Sequence, residues 1–433
     1  MNTADQPISS FKLAAFFCIA IVFSSCDIFG VHERNYEPNY PCENGLAQNT
    51  YPCQKVDLMS HLSARQLGGS QLNDIWGWTD PSTLKSYALV GLKNGVSFVD
   101  ISRPNEPGVL GRLGTTSHSD PDHSNHRKAP FTKTRLQHGS STWRDMKVYR
   151  NHMYVVSEES GYGVQVFDLT RLRNKKTDST RIFQADAVYD KLSSAHNIHI
   201  NTETGYAYAV GTDGATCGEG GLHMINIKNP ESPKYAGCFA QTGYIHDTQC
   251  VIYHGPDRDY QNRELCFNSN ADSLTIVDVT NKEDPRFISG LEYEGAAYVH
   301  QGWLTENHRY FLVGDELDEL RNGHNLRTYI IDIKDLDNIE LHSIYEAETP
   351  SIDHNLYVKG NYAYQSNYTS GLSILSLEQI DEGNLEEIAY FDTYPLNDRR
   401  EFSGSWSNYP FFDRNIIVLS DITGGLFVLR ANR

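Results

Sequence analysis

One short segment recurs seven times along this chain. It starts on a glycine or another small or polar residue, continues with alternating apolar residues, and often closes on Asp. It reads GVSFVDI at 95–101, GVQVFDL at 163–169, GLHMINI at 221–227 and SLTIVDV at 273–279. Weaker copies are RTYIIDI at 327–333, GLSILSL at 371–377 and GLFVLR at 425–430. The closing positions Asp100, Asp168, Asn226, Asp278, Asp332, Ser376 and Arg430 are 68, 58, 52, 54, 44 and 54 residues apart. Self-similarity at that period is the mark of a repeat architecture, in which each copy is one supersecondary unit.

Each copy follows a second strand rich in Tyr, Ala and Val, such as YALV at 87–90 or YAYAV at 206–210. Ahead of that lies a strand opening on a polar pair, such as His246-Asp247 or His354-Asn355. A proline turn and a further short strand follow several copies, as at Pro104, Pro230 and Pro285. Alternating β-branched and aromatic residues favour strands, and no long stretch keeps a helical apolar period. Four antiparallel strands repeated seven times predict an all-β, seven-bladed β-propeller. The seventh unit stops after its third strand. Its fourth is expected from VDLMSHL at 56–62, which resembles GVLGRL at 108–113. Such a closing strand removes open sheet edges.

The N-terminus reads as an address. LAAFFCIAIVF at 13–23 is eleven apolar residues behind Lys12, too short for the roughly 20 that span a bilayer. This is the layout of a signal peptide. Ser24 and Ser25 ahead of Cys26 are similar to a bacterial lipobox, in which Cys26 would carry lipid. The expected divisions are a signal peptide at 1–25, a tether at 26–55 and a propeller at 56–433. The address implies a bacterial cell-envelope protein, lipid-anchored at the outer membrane or cell surface, or else secreted. Lys+Arg 37 against Asp+Glu 55 leaves a charge of −18. That excludes nucleic acid as a natural partner and leaves the anchor as the expected membrane contact. A monomer is expected.

Six cysteines remain beyond Cys18 and Cys26, an even set in an exported chain. They allow 15 pairings. Strand positions favour local ones: Cys250 with Cys266 across neighbouring strands, Cys217 with Cys238 on one face, and Cys42 with Cys53 as the pair left over.

The segments SSTWRDMK at 140–147, VFDLTRL at 166–172, SAHN at 194–197, HDTQCVIYHGPD at 246–257 and LTIVD at 274–278 resemble the LVIVD-repeat propellers, and specifically the choice-of-anchor B family. The resemblance spans about 56–433. It implies an exported propeller held at a surface and no established reaction.

The start of the first strand and the end of the second share one face of a propeller. Read through the units, the first position holds Asp74, Arg144-Asp145, His196-Asn197, His246-Asp247, His300-Gln301, His354-Asn355 and Ser403-Gly404-Ser405. The second holds Glu158-Glu159, Asp213, Asn268 to Asn270, Asp315-Glu316, Asn367 and Asp421. A polar ring around one channel mouth is expected, either capping loops or binding a ligand. The histidines His196, His246, His300 and His354 are the candidate metal ligands. Imidazole with carboxylate suits Zn or Mn, and carboxylate with amide oxygen suits Ca. The acidic run at 315–319 has the residues to bind Ca, but reads more simply as a solvated loop. The insertion at 114–142, with His118, His123, His126 and His138, reads either as a solvated loop that binds nothing or as a cover folded over the mouth. NYT at 367–369 matches a glycosylation acceptor by chance.

No nucleophile elbow, HExxH, P-loop or dinucleotide fingerprint is present. The chain therefore reads as a lipid-anchored surface propeller. It would act as a binding module for a protein or glycan, with a divalent metal or a small polar ligand at the mouth. The alternative is a metal-dependent exported hydrolase or lyase using the same ring.

Overall fold

The computed structural model describes residues 36–115, 139–214 and 216–432. The expected signal peptide, Cys26 and the histidines between 118 and 138 lie outside the described residues.

The described residues form seven four-stranded antiparallel blades. Their first strands are Leu72–Thr79, Arg144–Tyr149, Asn197–Asn201, Asp247–Ile252, Val299–Leu304, Leu356–Lys359 and Ser405–Tyr409. These pack side by side around the axis. The apolar core lies between blades. Phe98 of the first blade stacks on Phe167 of the second at 4.7 Å, and Phe267 of the fourth on Phe311 of the fifth at 5.6 Å.

The closing residue of the repeat has a local job. Asp100, Asp168, Asp278 and Asp332 each accept the backbone N–H two residues on, at 2.9–3.0 Å, and Asn226 does so at 3.1 Å. These are Asx turns that start the connection to the fourth strand. The seventh copy makes no such turn. Its Arg430 reaches instead to Asp57 on the closing strand at 3.0 Å.

That closing strand, Val56–Leu62, pairs antiparallel with Gly425–Ala431. Its register shifts between Leu58 and Ser60. The same shift recurs between the third and fourth strands of five other blades. Val56–Leu62 is thus a fourth strand in all but chain order, bulge included.

The second blade departs from the pattern. Its fourth strand is only Ala187–Tyr189, and the preceding Ile182–Phe183 adds to the first blade instead. Of the segment expected to be a tether, residues 36–55 are folded onto the propeller. Tyr51–Gln54 pairs with the outer strand Glu386–Phe391 of the sixth blade. Disulfides join Cys42 to Cys53, Cys217 to Cys238 and Cys250 to Cys266. No helix among the described residues is long and apolar enough to cross a membrane.

Candidate functional site

First strands begin on one face, so the residues at their starts meet around the axis. The mouth is lined by Asp74, Arg144, His196, Asn197, His246, His300, His354 and Asn355, with Trp143 and Trp406 beside them. The space they leave is about 10 Å³, on the order of one water molecule.

The four histidines form a continuous arc. Successive ring centroids are 4.3 Å apart from His196 to His246, 4.2 Å from His246 to His300 and 4.4 Å from His300 to His354. Burial is the main force that holds His246 and His300 well below the ordinary imidazole pKa. It takes His354 down to about 3. At neutral pH these three rings are therefore uncharged, the form that ligates metals.

Backbone acceptors set the tautomers. His246 Nδ1 donates to the His300 carbonyl at 2.8 Å, and His354 Nδ1 donates to the Trp406 carbonyl. A carbonyl only accepts, so each proton sits on Nδ1 and each Nε2 keeps its lone pair. His354 Nε2 faces Glu316 Oε1 at 3.6 Å, and His300 Nε2 faces Glu316 Oε2 at 3.7 Å. Tyr368 donates to Glu316 Oε1 at 2.6 Å, which orients the carboxylate. Ligand atoms of His300, Glu316 and His354 all lie within 4.8 Å of one another. Two imidazoles and a carboxylate are a transition-metal ligand set.

Other ring residues have different partners. His196 pairs with Glu158 at 2.6 Å on the arc's open end. The Arg144 guanidinium turns into the wall, to the Leu92 carbonyl and over the Tyr162 ring. Asp145 sits deeper and pairs with the buried Lys147 at 2.6 Å. Asp247 accepts from Asn197 at 3.2 Å, and burial pushes its carboxyl up to about 8.

Like Glu158, Asp145 and Asp247, the expected ring residues Asp213, Asp315 and Asp421 do not join the mouth lining. Asp213 accepts the Ser193 N–H at 3.2 Å and is exposed. Asp315 is consumed by the Tyr293 hydroxyl and the Ala297 and Tyr298 N–H groups. Asp421 caps the following turn at Thr423 and Gly424. The reason at 315–316 is where the strand ends: Asp315 is its last residue and is taken up by the wall, whereas Glu316 lies in the following turn and faces His300 and His354. Lys147 was missed, although it lies two residues after Asp145 and so on the same strand face. The NYT match is excluded as a glycan acceptor, because Asn367 is 2% exposed.

Exposed aromatics stand near the arc. Trp143 is 44% exposed and 6.3 Å from the His196 ring. Phe402 is 50% exposed and packs on Tyr368, which itself lies against His354.

Residues 84–115 match the family described as LVIVD repeat, which are the last three strands of the first blade. No match to a curated protein was found. Among solved structures, the chain is similar to the β-propeller domain of Cps50 (Swd1) from Myceliophteria thermophila. Identity is 12%, over 80% of this chain and 93% of that one, with TM-score 0.47. It is also similar to a protein from Lactobacillus plantarum at 12% identity, over 81% and 88% of the two chains, with TM-score 0.49.

Proposed function

We propose that this chain is an exported, lipid-anchored binding module of the choice-of-anchor B kind. Its channel mouth holds a divalent transition-metal ion on His300, His354 and Glu316. The observation that carries the reading is the pair of imidazole nitrogens set against one half-buried carboxylate, at 3.6 and 3.7 Å. A neutral His354 presents a lone pair there, not a proton, so lone pair faces lone pair unless a cation, or a proton that burial favours on Glu316, lies between them. The lack of space favours binding over turnover, since a mouth with room for about one water has none for a substrate beside an ion. The exposed rings of Trp143 and Phe402 suit a protein or glycan partner docking on this face, since aromatics give large contact area with few rotors.

Titration with Co²⁺ tests the site. The wild type is expected to bind one Co²⁺ with visible ligand-field bands, and His354→Ala to lose them while keeping its fold. A wild type that gains no Co²⁺ spectrum would reduce the arc to channel lining.

A further inference from the structure

The acidic run at 315–319 is not the solvated loop its sequence suggested. Asp318 and Glu319 open the short helix Asp318–Asn322 and are fully buried. Asp353, from the chain leading into the sixth blade, is 1% exposed. Carboxylate oxygens of all three lie within 4.8 Å of one another.

Asp353 carries the argument because it belongs to a different element from the acidic run. It points into the cluster from the far side, and neither of its side-chain oxygens has a hydrogen-bond partner. Asp318 Oδ1 and Glu319 Oε2 have no N–H or hydroxyl donor either, and these two carboxyls face each other. The backbone makes room for this carboxylate: a Cβ on Gly314 would stand 1.8 Å from Asp353 Oδ2. Among the described residues no Lys or Arg pairs with any of the three. The nearest basic group is His324, whose Nε2 is 3.5 Å from Asp318 Oδ2. Its Nδ1 donates to the Asn325 carbonyl at 2.7 Å. Three carboxylates withdrawn from water with no Lys or Arg and a single imidazole beside them are costly, and a cation among them removes that cost.

We propose that Asp318, Glu319 and Asp353 hold a hard divalent cation of the Ca²⁺ or Mn²⁺ class, buried between the fifth and sixth blades. Three anionic oxygens suit such ions. The ion ties the segment after the fifth blade's second strand to the segment entering the sixth blade. Those same segments present Glu316 and His354 to the channel, but the buried site does not depend on a metal there.

Elemental analysis of a His300→Ala/His354→Ala protein reads this site with the channel ligands removed. One Ca or Mn per chain is expected, as isolated or after incubation with an excess of either ion. Asp353→Asn in the same background is expected to lose it. That variant should fold, because it takes a charge out of the cluster. A second readout is melting after refolding with EDTA. Adding back Ca²⁺ or Mn²⁺ should raise the melting temperature of the parent by mass action and leave Asp353→Asn unmoved. A parent with no bound cation and no response to add-back would mean that shared protons fill the cluster, and the proposal would be overturned. A missing Co²⁺ spectrum in the wild type, with the hard cation retained, would count against the channel ion alone.

Discussion

Two aspartates of the first blade respond to pH with opposite sign. Asp74 lines the mouth; burial first, and then the neighbouring Asp145, push its carboxyl up to about 7. The folded state therefore keeps a proton that the unfolded chain loses near pH 4. Stability attached to Asp74 is fully present below about pH 4 and falls as pH rises toward 7. Asp80 is the reverse case. Its bidentate pair with Arg173, at 2.7 Å on both arms, holds it below the usual carboxylate range. That contribution is present above about pH 4 and is lost as pH falls. Stability measured by urea unfolding from pH 4 to 8 should separate them. Asp74→Asn removes a downward slope of up to about 1.4 kcal/mol per pH unit. Asp80→Asn costs about 1–3 kcal/mol at pH 7, and the cost shrinks in acid. Parallel profiles for the two variants would contradict the opposite environments of these carboxylates.

At the scale of the strand, the repeat divides its labour. Alternating apolar residues pack against neighbouring blades, the closing Asp starts the next connection, and a bulge turns the fourth strand. The fourth blade adds a cross-link. Cys250 and Cys266 face each other in register on its first two strands, Cα atoms 4.0 Å apart. A bridge closing this loop constrains the unfolded chain. Replacing both with Ser is expected to cost about 2–4 kcal/mol in urea unfolding. Non-reducing peptide mapping of the wild type should recover the Cys250 and Cys266 peptides as one species. An unchanged denaturation midpoint in the double variant would show that the bridge contributes nothing to the blade.

For the molecule as a whole, closure decides stability. The last blade is finished by a strand from the other end of the chain, and the Arg430–Asp57 pair clasps it. Deleting residues 1–35 should leave the melting temperature unchanged and abolish palmitate labelling in cells. Deleting 1–62 should leave the third strand of the last blade as an exposed edge. That protein is expected to melt several degrees lower, over a broader transition, and to aggregate. A 1–62 deletion that melts like the wild type would mean that the ring does not need its closing strand.

The blade was legible because its determinants are local. Alternation places apolar residues between blades, Asp marks the turn after the third strand, and the missing fourth strand after Arg430 points back to 56–62. Equivalent positions in successive blades share a face by symmetry, so His196, His246, His300 and His354 could be placed together before any coordinates. Sequence position did not decide the roles within that face. Neighbours such as Asp315 and Glu316 are chemically similar, yet the strand ends between them, and one is taken up by the wall while the other faces the histidines. Asp353 and the acidic run at 315–319 lie more than thirty residues apart, and only the packing of the fifth blade on the sixth makes them one buried cluster. Burial matters as much: the acidic run at 315–319 reads as a hydrated surface until the fold removes the water from Asp318 and Glu319.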